Sequence, residues 1–304
     1  MWFELLPHLL TTVTERWQLE LGPPIPRGTA SAVFRCRMRD GRPAVLKASP
    51  DRSRLIVEAS ALTAWHTVHS PEVIAFDDQL GALLLEAIEP GTPLIVSMRY
   101  PALERIVGLL SALHGQPVPD GSYPTVTQRV DDLFRSSTKL YERNQRLTEV
   151  VPYELYERGH ALASRLAHND VVTVLLHGDL TPRNILDGGA QRGLVAIDPT
   201  PCRGAATFDA VDLILWQADD LEAIEGRIEL LAAATSAEAG RLNAWCCAFA
   251  GMAALELASE GNVPYARLET LQRLASQRKG PGGHRAPRHR SSFYRHHLGL
   301  PMVR

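Results

Sequence analysis

The run His177-Gly178-Asp179-Leu180-Thr181-Pro182-Arg183-Asn184 sets an amide five residues after a carboxylate, and a second carboxylate, Asp198, follows downstream. An apolar segment, Val172 to Leu176, leads into the run. A short hairpin through Asp187-Gly188-Gly189 then returns along Leu194 to Ile197 and ends at Asp198. This spacing delivers two acids and one amide to a single edge of a small hairpin. Phosphoryl transfer needs such a set, because the protein must orient a hydroxyl, hold Mg2+ against phosphates and stabilise a loose transition state. Asp179 is the candidate catalytic base, the group that accepts the hydrogen bond of an acceptor hydroxyl and takes its proton. Asn184 and Asp198 are the candidate metal ligands, one neutral oxygen and one anionic, a donor set that suits hard Mg2+. An isolated Asp near a strand end, or an Asn before an apolar strand, is most often a turn residue. The combined H-G-D-x-x-x-x-N with Ile197-Asp198 downstream is far more specific.

A nucleotide would need its own cation. Lys47 closes the strand Ala44-Val45-Leu46-Lys47, where its ammonium can reach the alpha and beta phosphates of ATP. Glu58, eleven residues later on an expected helix, can hold that ammonium by an ion pair. Between two expected strands, Arg27-Gly28-Thr29-Ala30-Ser31 offers one glycine and no G-x-G-x-x-G. Gly28 and Ser31 are the candidate phosphate contacts there.

These residues require elements to carry them. The upstream segment reads as strands at 17–21, 30–39, 43–48, 73–76 and 82–88, with helices at 3–16 and 54–66; Asp40-Gly41 marks a hairpin turn. At Glu89-Pro90-Gly91 the pattern changes. Beyond it the periodicity is helical over 101–115, 127–146, 153–168, 208–232, 236–259 and 263–277, broken by one strand-rich block between 172 and 198. The fold expected is α+β: a strand-rich N-terminal nucleotide-binding lobe (residues 1–88) and a mainly helical lobe for catalysis and acceptor binding (89–277). Residues 278–304 hold seven Lys/Arg, four His and no acid, and read as a flexible basic tail.

Bulk properties narrow the partners. The formal net charge of -2 gives no reason to expect nucleic acid or an anionic membrane. The four cysteines have no metal-ligand or disulfide spacing, which suits a reducing compartment. The N-terminus lacks the form of a signal peptide, and the apolar stretch Ala244 to Leu255 is too short to cross a bilayer. A cytoplasmic protein acting on a small molecule is expected.

The residues above, with Arg16-Trp17-Gln18-Leu19, Leu84-Leu85-Glu86, Pro90-Gly91, Leu109 to His114 and Ala196-Ile197-Asp198-Pro199, resemble the aminoglycoside phosphotransferase family. Its streptomycin 6-phosphotransferase and hydroxyurea kinase branch is the nearest match, over roughly residues 15 to 215. The resemblance implies a protein-kinase-like two-lobed fold, ATP and Mg2+ as cofactors, and phosphorylation of an antibiotic hydroxyl as a resistance activity. It implies the roles already given for Asp179, Asn184, Asp198, Lys47 and Glu58, and adenine contacts from the backbone of Glu86 to Ile88. The chain departs from the family at Gly204-Ala205-Ala206, where Gly-Asp-Pro is usual, although Phe208-Asp209 is kept. Gly178 and Pro199 differ from protein kinases in ways that argue against an activation-loop switch and a protein substrate.

The family's acceptors are often cationic sugars, so an acidic cleft is expected. Asp219, Asp220 and Glu222, with Glu225, are the candidate acceptor-binding residues, and a solvated helix face is the plainer reading of the same acids. A streptomycin-type aminoglycoside leads as acceptor. Hydroxyurea, a peptide antibiotic, a metabolic alcohol such as choline, a sugar or an amino-acid hydroxyl, or a catalytically silent kinase-fold binding protein remain open readings.

Overall fold

The computed structural model describes residues 2–26, 31–119, 123–169, 173–261 and 264–277. Gly28, expected at the phosphates, and the basic tail 278–304 lie outside the described residues.

The chain starts with helix α1 (Trp2–Trp17), and Gln18, at φ 53°, turns it directly into strand β1 (Leu19–Pro24). Strands β2 (Ala32–Met38) and β3 (Pro43–Ala48), helix α2 (Arg52–Trp65), and strands β4 (Val73–Asp77) and β5 (Ala82–Glu86) follow. The five strands form one antiparallel sheet in the order β1-β2-β3-β5-β4. Side chains alternate across such a sheet with a period of two. Ala44, Leu46, Ala82 and Leu84 therefore pack with Val13 of α1, while Leu83 and Leu85 join Leu55, Ala59 and Leu62 of α2 on the other side. The same alternation turns Val45 and Lys47 away from Leu46 and into a cleft.

A short connection with strand β6 (Thr92–Pro93) and helix α3 (Leu94–Ser97) leads to the helical lobe. This lobe contains α4 (Leu103–His114), α5 (Val126–Arg143), α6 (Leu147–Val150) and α7 (Tyr153–His168). A set of short strands comes next: β7 (Val174–Leu176), β8 (Ile185–Asp187), a helical turn α8 (Gly189–Arg192), β9 (Leu194–Ala196) and β10 (Cys202–Gly204). Strands β8 and β9 pair Ile185 with Ala196, so the expected hairpin forms, with one helical turn inserted into its connection.

The last helices are α9 (Val211–Leu215), α10 (Leu221–Thr235), α11 (Ala239–Ser259) and α12 (Tyr265–Ala275). Helix α11 is apolar on nearly every side and buried, with Trp245 and Cys246 fully covered. It is long and apolar enough to cross a membrane by composition, but most of it is packed inside the lobe, as expected for a core helix.

The single helix expected over 208–232 is instead a 3-10 turn (Ala206–Phe208), α9 and α10. The first helix ends at Leu215, where Trp216 turns extended, and Gln217 follows at φ 52°. Arg227 supplies the hydrogen bonds that the helix end lacks, donating to Ile214 O at 2.8 Å and Trp216 O at 2.6 Å. Asp220 then caps α10 by accepting from Ala223 N at 2.7 Å. Periodicity did not reveal this break, because the groups that repair it are thirteen residues apart.

Candidate active site

Lys47 is 7% exposed and sits between two carboxylates. Its Nζ lies 2.7 and 2.6 Å from the two oxygens of Glu58, and it also pairs with Asp198 Oδ1. Helix α2 places Glu58 because Asp51 caps its first turn, accepting from Arg54 N at 3.0 Å. Burial alone would discharge the ammonium, but Glu58 and Asp198 outweigh it and hold the Lys47 pKa above its ordinary value. Burial would likewise raise the Asp198 carboxyl; the charge and hydrogen bond of Lys47 hold it below the usual range instead. Glu58, 1% exposed, is pushed up by burial, with Lys47 opposing. Asp198 has φ 58°, in a left-handed region that Asp tolerates better than most residues.

A cavity of about 380 Å³ opens beside this network. Ser31, Lys47, Arg54, Glu58, Glu86 and Ile88 are among its lining residues, and Asp198 stands at its edge with Ile197 and Leu186. The volume is in the range of ordinary ligand pockets. Glu86 reaches this wall while its side chain pairs with Arg192 of α8, and Arg192 also donates to Val68 O and Ser70 O.

The candidate catalytic segment lies below. Gly178 has φ 74°, and a Cβ there would meet Thr200 O at 2.1 Å. Only glycine fits, so this residue is required by the path of the backbone. The fully buried Asp209 carboxylate accepts from His177 N at 2.8 Å and Gly178 N at 2.9 Å, and pairs with His114 Nε2 at 2.9 Å. Burial opposes its charge, but these hydrogen bonds keep the carboxyl below its usual pKa. Burial lowers the His177 pKa; its ring stacks 6.0 Å from Trp65, and its Nε2 faces Ile197 O at 3.1 Å. The turn that departs from the family pattern therefore keeps its anchor: Ala205 and Ala206 change the sequence, and Asp209 still holds the loop. Gly204 fits because a Cβ there would meet Val126 Cβ at 2.6 Å, where α5 crosses β10.

Asp179 is held from both sides. Asn184 Nδ2 donates to its Oδ2 at 2.9 Å and to its backbone oxygen at 3.0 Å. From α5, Arg129 Nη2 lies 3.2 Å from Oδ1, and Arg129 Nε donates to Gly178 O at 2.6 Å. Ile197 N donates to Asn184 O at 2.8 Å, so one residue joins the Asp179 side of the loop to the strand that ends at Asp198.

A second chamber of about 100 Å³ lies against Asp179, with Leu133, Phe208, Val211, Phe249 and Met252 forming apolar walls. Two further carboxylates face it, Asp212 of α9 and Glu256 of α11. Ser137 donates to Glu256 at 3.0 Å. Both residues are partly open to solvent. Desolvation of the carboxyl against the protein, then the negative charges of Asp179 and Glu256, push Asp212 up to about 7, with Arg129 opposing. Glu256 is raised in the same direction, first by burial.

The acids named from sequence lie elsewhere. Asp219 is exposed and pairs with Arg267 at 3.5 Å; Asp220 is the cap of α10; Glu222 and Glu225 are exposed on that helix. None of them lines the chamber. The break at Gln217 turns this segment away from the line a continuous helix would have followed. Asp212, Glu256 and Arg129 were missed, since nothing in their local sequence marks them. His114 was legible only as part of the segment Leu109 to His114.

A strand-rich lobe over a helical lobe, with a buried lysine–glutamate pair above an Asp–Asn loop, defines a kinase-fold phosphotransferase. Solved structures agree on the fold. The choline kinase LicA from Streptococcus pneumoniae superposes with a TM-score of 0.55 at 15% identity, covering 88% of this chain and 97% of that one. A thermostable mutant of aminoglycoside phosphotransferase APH(4)-Ia gives 0.55 at 15%, covering 88% and 99%. The family model described as "Aminoglycoside/hydroxyurea antibiotic resistance kinase" matches residues 16–261, and the chain belongs to that family. Streptomycin 6-kinase of Streptomyces griseus is 28% identical over 271 residues, 81% of each chain. Hydroxyurea phosphotransferase of Kitasatospora aureofaciens is 26% identical over 248 residues, covering 79% of this chain and 69% of its own.

Proposed function

We propose that this kinase transfers the γ-phosphoryl group of ATP to a hydroxyl of a cationic small molecule, a streptomycin-type aminoglycoside first among them, and so inactivates an antibiotic. The observation that carries the reading is Asp179, fixed by Arg129 and Asn184 at the wall of a chamber that also holds Asp212 and Glu256. An acceptor carrying positive charge offsets two carboxylates that otherwise repel each other and Asp179.

Asp179 accepts the proton of the acceptor hydroxyl. The acceptor oxygen bonds to the γ-phosphorus, the bond to the bridging oxygen breaks, and ADP leaves. Lys47, positioned by Glu58, neutralises the alpha and beta phosphates; Ser31 contacts phosphate, and the backbone of Glu86 to Ile88 contacts adenine. Gly28 is assigned to the phosphates from sequence alone. The metal site fits Mg2+: Asn184 spends its amide nitrogen on Asp179, which leaves its oxygen as donor, and Asp198 spends Oδ1 on Lys47, which leaves Oδ2. Phosphates and water would complete the shell of a cation held by these two oxygens. Bound there, Mg2+ supplies charge neutralisation on the transferring phosphoryl group. The lobe division at 88/89 and a cytoplasmic location, where ATP is abundant, belong to the same proposal.

Purified protein is tested by ADP release against streptomycin, other aminoglycosides, hydroxyurea, peptide antibiotics, choline and sugar or amino-acid alcohols. The expected result is Mg2+-dependent turnover with a cationic aminoglycoside. No turnover with any acceptor, together with no ATP binding, overturns the kinase reading. A metabolite that turns over much faster than every antibiotic overturns only the resistance assignment.

A further inference from the structure

We infer that Arg129 is the residue that positions Asp179 for the reaction, a cation supplied to the catalytic loop from a distant helix. The inference rests on the phosphotransferase reading with Asp179 as the base. Three observations lead to it. Arg129 is 14% exposed, and its guanidinium is divided between Gly178 O at 2.6 Å and Asp179 Oδ1 at 3.2 Å. The loop's own cation, Arg183, is 67% exposed and faces Glu260 at 3.3 Å, so it is committed to the surface. Helix α5 is itself fixed where Arg129 leaves it. Thr125 and Gln128 close a capping box, Arg203 N donates to Pro124 O at 2.8 Å, and Val126 packs on Gly204.

The geometry has a physical consequence. A carboxylate has about four acceptor sites on its two oxygens. Arg129 uses one on Oδ1 and Asn184 uses one on Oδ2, which fixes the carboxyl plane and leaves capacity for the acceptor hydroxyl. The planar fork of a guanidinium bonds the carbonyl and the carboxylate together, a geometry that an ammonium cannot reproduce. Without it Asp179 is held from one side only, and a misplacement on the order of 1 Å costs about 100-fold in rate. Arg129 also opposes the effect of Asp179 and Glu256 on Asp212.

The test measures ADP release with streptomycin, and with water as the slow default acceptor, in Arg129→Ala, Arg129→Gln, Arg129→Lys and Asp179→Asn. The expected result is a fall of about 100-fold in kcat for Arg129→Ala. ATP affinity should stay within about twofold, melting should stay cooperative, and Arg129→Lys should fall between. Millimolar guanidinium should restore part of the kcat of Arg129→Ala, whereas sodium chloride at equal ionic strength should not. If Arg129→Ala does not fold, Arg129→Gln, which keeps a donor for Gly178 O without the charge, decides by the same criterion. Wild-type kcat in an Arg129 variant, while Asp179→Asn abolishes turnover, overturns the inference and leaves the phosphotransferase reading standing. So does a loss of kcat in a well-folded variant that guanidinium cannot recover. Full turnover in Asp179→Asn overturns the base assignment and this inference with it.

Discussion

The two cavities that meet at the catalytic loop are built in different ways. On the proposed nucleotide side, Lys47, Glu58 and Asp198 satisfy one another at contact distance, with Lys47 and Glu58 buried and Asp198 partly open to the cleft. On the proposed acceptor side, Asp179, Asp212 and Glu256 are all acids, come from the Asp179 loop, α9 and α11, and are answered by one arginine from α5. The first arrangement is complete before a ligand arrives. The second is frustrated until a ligand with the opposite charge enters. A kinase can keep one nucleotide half and change its acceptor by altering a few side chains in the other.

The contrast breaks most severely at the loop the two sides share. Asp179→Ala should reduce turnover by about 10³-fold with ATP affinity retained, read by ADP release and by nucleotide titration. An ATP affinity that falls with kcat would show that Asp179 serves the nucleotide half as well.

On the nucleotide side, Lys47→Met leaves Glu58 buried without its cation. Breaking a buried pair in this way costs about 3–5 kcal/mol, so the variant should melt many degrees lower in calorimetry and lose ATP binding. Adding Glu58→Gln should recover part of that stability and none of the binding. If Lys47→Met melts like the wild type, Lys47, Glu58 and Asp198 do not form a preformed unit.

The acceptor half should respond to pH. Asp212 has its carboxyl raised from the ordinary 3.8 to about 7, and the charged groups facing it are Asp179, Glu256, Asp209 and Arg129. A raised carboxyl means that the native state binds the extra proton between those values, so the stability it contributes is present in acid and is lost as pH rises through 7. Asp212→Asn should therefore melt higher than the wild type at pH 8, and the two should converge near pH 4. For a guanidinium-bearing acceptor, KM should fall from pH 6 to pH 8 in the wild type and stay flat in Asp212→Asn. A pH-independent wild-type KM removes Asp212 from the acceptor's contacts.

The smallest effects belong to the acids outside the chamber. Asp220→Ala removes a helix cap and should cost about 1 kcal/mol of stability without changing KM. Asp219→Asn loses an exposed pair with Arg267 and should shift stability by less than about 1 kcal/mol. A large KM change in either would return these residues to the acceptor site.

Much of the nucleotide half is legible in the chain because its geometry is local. Lys47 ends a strand whose alternation is visible in Ala44 to Ala48, and Glu58 lies two turns into the next helix. Asp179 and Asn184 are five residues apart in one loop. Spacings this short leave the backbone few alternatives, so residue type and separation together fix the arrangement. The same holds for the β8–β9 hairpin that brings Asp198 back beside Asn184.

The acceptor half could not be read that way. Glu256 follows Asp179 by seventy-seven residues and Arg129 precedes it by fifty. Glu256 lies on an apolar helix and Arg129 on an amphipathic one with Asp131 and Asp132 beside it, and neither setting marks a site. The cluster Asp219-Asp220-Glu222 drew attention because it is dense in sequence, but density along a chain does not determine which way a helix faces. That direction is set just after α9, where Trp216 turns extended, Gln217 is left-handed and Arg227 takes up the carbonyls of Ile214 and Trp216. The sequence by itself determined the α+β class, the Asp179–Asn184 loop and the Lys47–Glu58 pair, through short-range geometry. Only the tertiary structure decided which charges share the chamber with Asp179, because helix packing alone brings those distant residues within reach of one another.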